Sequence, residues 1–494
     1  MPPDERFAAP VFSGRMDQGN WRGEECLRWV DPHCRSNESF RNVGGDAVLW
    51  RQAADDFLEG FRDLNGATGY VPLSDYAVVV GIDETSAGGL DLTTSAGAPY
   101  FARKSVCVAI NRDVDPPEVE LEPKLVEGMD RILKVVDAGD VYSPHAVHSL
   151  KDEVVTNKKN KACKIRVFNV MSLSFNFLLK KYLSPIVDFY RNHPLFFEHA
   201  IGLNIASKKD AMMLHSFLSV HPNVCASDVS DFDVSASSRE LYYASLVVQR
   251  IAHLLGYSPI ERKRVWGLLM SSMHVTHIAK GDFWITNFAL ASGYWITLFL
   301  NCVRNSLQAR YAYYKLGGAS YGLFRTRVNQ VVLGDDNISC VHSDCSWFNQ
   351  VTVAEALREI GAVRTSSRKG ESLIPYERFE DATFLKRVFR VLEGEIVCPI
   401  EKKTLLRMLT FRRKTKALSE HDHHCIIIST VMAEAWMWGR EFFDEIRDLV
   451  LLLADKHDLK GANLRVDTYE SYVERYKSGS LVTWDPLLDE PIGN

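Results

Sequence analysis

No run of about eighteen apolar residues occurs anywhere in this chain, so no membrane-spanning helix is expected. The opening MPPDERFAAPVF carries acidic residues and lacks an apolar centre, which does not fit a secretory signal peptide. The ten cysteines scatter from Cys26 to Cys425 without a Cys-x-x-Cys pair. That spacing argues against a zinc ribbon and a secreted disulfide framework, and favours a reducing, cytoplasmic setting. There is no internal repeat and no low-complexity tract, which excludes a solenoid or propeller. With 18 prolines and 30 glycines in 494 residues, nothing pushes toward disorder or a fibrous fold.

At 46% apolar, the chain can bury a large core, enough for three domain-sized units or one multi-part enzyme. Its net charge of −5 weighs mildly against nucleic-acid binding, which needs Lys and Arg to neutralise phosphates. The local distribution differs. No acid lies between Glu153 and Asp188, where Lys158, Lys159, Lys161, Lys164, Arg166, Lys180 and Lys181 fall. A second acid-free stretch, between Glu401 and Glu420, holds Lys402, Lys403, Arg407, Arg412, Arg413, Lys414 and Lys416. By themselves these runs read as solvated faces.

Periodicity predicts a mixture of short strands and long helices. Residues 223–228 read as a strand. Ser237-Ser238-Arg239-Glu240 is a capping-box pattern that opens an amphipathic helix closed by Gly256. Residues 294–309 are helical in pattern, 329–342 form two β-rich runs around a tight turn, and a helix-rich tail begins near 400. The expected class is α+β with helical flanks.

Three constellations could carry chemistry. Gly334-Asp335-Asp336 places two carboxylates at a hairpin tip, where their repulsion invites a hard divalent cation. Asp228-Val-Ser-Asp-Phe-Asp233 sits at a strand end, and two-metal phosphoryl transfer needs carboxylates from separate segments to bracket the ions. In Ser292-Gly293-Tyr-Trp-Ile-Thr297-Leu-Phe-Leu-Asn301, a helix would put Thr297 and Asn301 on one face. Each alone has an ordinary explanation: an acidic turn, a solvated sheet edge, a satisfied pair of core polar groups.

Together, in this order, they resemble the A, B and C motifs of viral RNA-dependent RNA polymerases: Asp-x4-Asp, Ser-Gly-x3-Thr-x3-Asn and Gly-Asp-Asp. Asp91-Leu-Thr-Thr-Ser-Ala-Gly-Ala-Pro-Tyr100 resembles the family's template-side motif, and Lys151-Asp152-Glu153 through Lys159, Lys164 and Arg166 its nucleotide-channel motif. Thr365-Ser-Ser-Arg-Lys369 resembles the lysine-donor motif, and Phe384-Leu385-Lys386-Arg387 the primer grip. The strings look closest to the picornavirus-like group.

The resemblance implies a closed right hand, with fingers over 1–188 and 240–286, palm over 189–239 and 287–390 with an antiparallel sheet, and a helical thumb over 391–494. It implies Mg²⁺, with Mn²⁺ as a substitute, on Asp228, Asp335 and Asp336. Asp233 and Asn301 would read the ribose 2′-hydroxyl, with Thr297 orienting Asp233 and Ser292 steering a moving loop. Lys159, Lys164 and Arg166 would hold the triphosphate, and Lys369 would protonate pyrophosphate. Thr94, Ser95, Ala96 and Gly97 would lie against the template, Lys386 and Arg387 against the primer, and the basic stretch 402–416 against the product duplex. The implied partners are a single-stranded RNA template, the RNA product duplex, ribonucleoside triphosphates, a genome-linked peptide primer and other viral replication proteins, at membrane-associated complexes in the host cytoplasm. The rival readings are a reverse transcriptase and a catalytically idle RNA-binding scaffold that kept the fold. His421-Asp-His423-His424-Cys425 crowds its potential ligands into five residues and reads as structural or surface histidines rather than zinc.

Overall fold

The computed structural model describes residues 7–8 and 44–481, apart from 65–67, 83–87, 115–116, 152–154, 158–165, 231, 233–234, 280–281, 369, 411–417 and 462. Along the chain, helix α1 (Ala47–Phe57) precedes strands β1 (His145–Leu150) and β2 (Val167–Met171) and the long α2 (Leu173–Asn192). Next come β3 (Asn223–Val229), helices α3 (Ser238–Leu254) and α4 (Pro259–Ser272), the hairpin of β4 (His274–Ala279) and β5 (Asp282–Asn287), and helix α5 (Thr297–Lys315). A second hairpin, β6 (Val328–Leu333) and β7 (Asp336–Val341), leads to α6 (Gln350–Leu357) and strand β8 (Arg364–Ser366). Helices α7 (Lys402–Met408), α8 (Glu420–Ala435), α9 (Arg440–Lys456) and α10 (Tyr469–Lys477) follow. Among the described residues no helix is long and apolar enough to cross a membrane.

Two four-stranded sheets organise the molecule. In one, β6-β7-β3-β8, every pairing is antiparallel. In the other, β2-β1-β4-β5, strands β1 and β4 run parallel although about 130 residues apart in sequence, a separation no local pattern predicts. The capping box before α3 forms as its sequence predicts: the Ser237 hydroxyl accepts from the Glu240 N–H at 3.1 Å, and the Glu240 carboxylate accepts from the Ser237 N–H at 3.4 Å.

The helix expected over 294–309 starts later and runs longer, from Thr297 to Lys315. Its predicted first turn is pinned open instead. The Asn176 amide donates to the Gly293 carbonyl at 3.1 Å and accepts from the Trp295 N–H at 3.2 Å, while the Thr297 hydroxyl donates to the Ala291 carbonyl at 2.7 Å. A Cβ on Gly293 would lie 1.5 Å from the Asn169 carbonyl oxygen, so only glycine fits there.

Helix α5 is buried on nearly all sides from Phe299 to Tyr313 and forms the axis of the main core. Trp50 of α1 packs on Tyr311 of α5 with ring centroids 4.6 Å apart. Between these helices, the guanidinium of Arg310 is fully buried and bonded to Asp56 at 2.6 Å and to Glu198 at 2.7 and 2.8 Å. A second core lies under the β6-β7-β3-β8 sheet around Leu214, Val331, Ile338 and Phe389. A third fills the C-terminal helices around Trp436, Phe443 and Tyr472.

Candidate active site

Antiparallel pairing brings the acidic segments together. β6 and β7 close at the Leu333–Asp336 pair, leaving Gly334-Asp335 as a two-residue turn. Gly334 has a φ of +64°, the demand of a tight hairpin with glycine at its first loop position. Strand β3 lies on the other side of β7 with Ser227 opposite Asn337. The pairing ends there, so that Asp228 and Asp336 are the next residues of their strands beyond it, and on its other side Asp228 pairs with Thr365 of β8. Asp335 is exposed at the tip, and Asp228 and Asp336 are half-buried.

Beneath the turn, α5 supplies a clamp. The Asn305 amide N–H2 lies 3.0 Å from the Gly334 carbonyl, 3.1 Å from that of Asp335 and 3.4 Å from that of Asp336. Its oxygen accepts from Asn337 at 3.1 Å and from Arg364 at 3.0 Å, while the other arm of Arg364 donates to the Ser227 hydroxyl at 2.8 Å. The Gly334 N–H points at the Cys302 sulfur, 3.3 Å away. Burial pushes the Arg364 guanidinium down to about 10, with Cys225 and the charge of Asp228 pulling the other way. A buried cation beside the carboxylates thus shares a hub with the backbone of the acidic turn.

The donor chemistry fits magnesium: Asp228, Asp335 and Asp336 offer only carboxylate oxygens, the ligands a hard divalent ion takes. Among the described residues no group of three or more His, Cys, Asp or Glu side chains is drawn close enough to hold a metal as it stands.

Residues 45–454 match the family described as viral RNA-dependent RNA polymerase. The chain belongs to that family. It is 24% identical over 381 residues to the replicase polyprotein of Drosophila C virus, covering 74% of this chain and 21% of the polyprotein. It is 27% identical over 365 residues to the replicase polyprotein of Cricket paralysis virus, covering 68% and 20%. To the RNA1 polyprotein of Beet ringspot virus it is 26% identical over 386 residues, covering 72% and 16%. The chain therefore spans about a fifth or less of the length of these curated relatives. The solved structure of the Sicinivirus 3Dpol RNA-dependent RNA polymerase superposes with a TM-score of 0.72 at 16% identity, covering 97% of this chain and 93% of that one. The picorna-like resemblance and the right-hand polymerase fold are thereby borne out.

Within this polymerase fold the other motif residues fall into three groups. Asp233, Lys159, Lys164 and Lys369 lie outside the described residues, as do Arg412, Arg413, Lys414 and Lys416. Several others are placed where a substrate could reach them: Ser292 and Arg166 are exposed and Thr297 is half-buried, whereas Asn301, one turn further along α5, is buried and its side-chain oxygen accepts from Arg304 at 2.7 Å. Thr94 and Ser95 are exposed, and Lys386 sits at a hairpin tip with φ +59°. The remainder are occupied by the fold. Ala96 is fully buried, and its backbone bonds Ala102 and Leu173 at 2.8 and 2.9 Å. A Cβ on Gly97 would lie 2.6 Å from the Met171 carbonyl. Both therefore shape the loop rather than present side chains to RNA. Arg387 grips Glu434 of α8 through both arms at 2.7 and 2.8 Å and also donates to the Cys398 carbonyl. In the basic tail, Lys402 lies over the rings of Trp438 and Phe442 at 5.2 and 4.4 Å. His421 accepts from the Lys460 N–H at 3.1 Å, which gives that ring a structural task.

Sequence reasoning passed over Asn305, Arg304 and Arg364. A usable signal existed for two of them: Asn305 continues the four-residue spacing of Thr297 and Asn301, and Arg304 is four before Gln308 on the same apolar helix.

Proposed function

We propose that this chain copies a single-stranded RNA template by joining ribonucleoside triphosphates. What supports this, beyond family membership, is the meeting of Asp228 with the Gly334-Asp335-Asp336 turn over a helix that carries Thr297 and Asn301. The fingers would take 1–188 and 240–286, the palm 189–239 and 287–390, and the thumb 391–494. The palm so drawn contains the whole β6-β7-β3-β8 sheet.

Asp228 and Asp335 would hold the magnesium ions, with Asp336 beside them and manganese as a substitute. When bound, such ions supply Lewis-acid activation of the primer 3′-hydroxyl and neutralise charge on the transferring phosphoryl group. Exposed Arg166, with Lys159 and Lys164, would grip the triphosphate, where a guanidinium offers paired hydrogen bonds. The primer 3′-hydroxyl would lose its proton to water as its oxygen bonds the α-phosphorus and the bond to pyrophosphate breaks, and Lys369 would give the leaving group its proton. Asp233 and Asn301 would read the 2′-hydroxyl, with Thr297 and Ser292 setting the loops around it. Thr94 and Ser95 would border the template, and Lys386 the primer. The picorna-like resemblance further suggests initiation on a genome-linked peptide and work with other viral replication proteins at membrane-associated complexes in the host cytoplasm.

The test is extension of a primed RNA template by the purified chain with Mg²⁺, Mn²⁺ or EDTA, comparing ribo- with deoxynucleotides. Metal-dependent extension restricted to ribonucleotides is expected. Asp335→Asn should lower it on the order of 10³-fold with RNA binding nearly intact, because transition-state charge is lost and the phosphate grip is not. Extension by Asp335→Asn near the unmodified rate would sink the metal assignment. No extension by the unmodified chain on a competent primed template would favour the idle-scaffold reading.

A further inference from the structure

Helix α5 carries a second buried cation, Arg304, on the residue immediately before Asn305. The Arg304 side chain is fully buried and its fork reaches three acceptors on separate segments. Nε donates to Glu240 of α3 at 3.0 Å, Nη1 to the Asn301 side-chain oxygen at 2.7 Å, and Nη2 to the Phe232 carbonyl at 3.1 Å. The guanidinium carbon also lies 4.1 Å from the centre of the Phe232 ring. Glu240 is equally buried and is shared with Gln308 at 2.9 Å.

A buried ion pair is a poor device for stability alone, since apolar side chains of similar volume usually serve as well. What this one fixes is an orientation. An asparagine amide can present either its oxygen or its N–H2, and the two differ by a flip of the group. Arginine only donates, so Arg304 takes the Asn301 oxygen and thereby fixes which end of the amide accepts and which end donates. The same fork grips the backbone of Phe232, the residue immediately before Asp233 in sequence.

We propose that Arg304 is a positioning residue for ribose selection: it fixes the Asn301 amide so that its N–H2 donates to the 2′-hydroxyl of the incoming nucleotide. The inference rests on the reading of Asn301 as a ribose contact. A 2′-hydroxyl that donates to a carboxylate still has lone pairs to accept from a fixed N–H, whereas a flipped amide would meet that oxygen with its own. A deoxynucleotide offers no oxygen for that bond, and discrimination follows.

The experiment measures kcat/KM for ribo- and deoxynucleotide incorporation by the full chain and by Asn301→Ala, Arg304→Lys and the double variant. Arg304→Lys keeps a cation against Glu240 and removes the fork. It should lower the ribo/deoxy ratio by roughly tenfold or more, chiefly through a raised ribonucleotide KM, and the double variant should discriminate no worse than Asn301→Ala. A purely structural role would weaken both substrates alike and leave the ratio in place, which overturns the inference. Independent, multiplying losses in the double variant overturn it too, because Arg304 would then act by another route. If Asn301→Ala itself leaves the ratio unchanged, the ribose reading fails and the inference falls with it. Should Arg304→Lys not fold, Arg304→Gln with Glu240→Gln removes the fork without stranding a buried charge, and the same ratio decides.

Discussion

Replacing Asn305 by aspartate keeps the size and shape of the side chain and reverses half of its hydrogen bonding. The amide donates toward the carbonyls of Gly334 and Asp335 at 3.0 and 3.1 Å, and a carboxylate cannot. Two donor bonds in a buried site are worth about 1 kcal/mol each net, and up to about 3 kcal/mol each where the acceptors are left unsatisfied. On the other side, the oxygen that accepts from Arg364 at 3.0 Å becomes charged, and a charge-assisted bond to a buried guanidinium is roughly twice as strong as a neutral one. The two effects oppose each other in overall stability and act together on the turn, whose carbonyls now face a negative charge. Asn305→Asp should therefore shift unfolding free energy by less than about 2 kcal/mol, yet lower extension on the order of 10²-fold through misplacement of Asp335. Asn305→Leu, which loses both halves, should be destabilised by about 3 kcal/mol as well as slow. Urea unfolding and single-nucleotide extension across a magnesium titration separate the outcomes. Near-normal extension by Asn305→Asp, with unaltered magnesium dependence, would refute the idea that this amide positions the acidic turn.

Three further expectations concern the frame around the site. Arg387→Met strands the buried carboxylate of Glu434 and should destabilise the chain by about 3 kcal/mol, without flattening the salt dependence of RNA binding. Lys386→Met should reduce that salt slope by about 0.9 per lost phosphate contact and leave stability alone; the reverse pattern would assign the primer contact to Arg387. Burial pushes the His199 imidazole down to about 4 from an ordinary 6.5, while its ring bonds the Tyr190 carbonyl at 2.8 Å. Between those values the unfolded chain binds the extra proton and the folded chain does not. Its stabilisation, about 3 kcal/mol, is whole above pH 6.5 and lost as pH falls toward 4. Urea midpoints at pH 7 and pH 5 for the unmodified chain and His199→Gln check this: the variant should show the smaller drop, and equal drops would discard it.

Local features were legible because their causes are local. The hairpin over Val328–Val341 follows from β-branched runs around Gly334, and α3 from Ser237 and Glu240 three residues apart. The acidic site could be assembled on paper only because its motifs resemble a family; no periodicity places Asp228 beside Asp336. What stayed hidden depends on distant partners. The delayed start of α5 is set by Asn176, and the occupation of Arg387 by Glu434, 47 residues away. Nothing in the local sequence marks Arg364, whose burial depends on partners such as Ser227, 137 residues earlier.

A different set of buried polar residues forms one connected path, and that has a consequence for how the site is held. From Asp56 on α1 the path runs through Arg310 to Glu198, from Glu198 to Gln330 at 2.8 Å, from Gln330 to Asn337 at 3.3 Å, then to Asn305 and the Gly334 carbonyl. Each member sits on a helix, a strand or a packed turn, so the acidic tip is braced by rigid elements rather than by loops, as a site needing sub-ångström placement requires. Low local dielectric strengthens such a chain when complete and makes a gap in it expensive. Removing Asp56, far from any reacting atom in sequence, should then be felt at the Gly334-Asp335 turn as slower extension beyond what lost stability explains, whereas an equally buried apolar change on the same helix, Ala53→Gly, should act through stability alone.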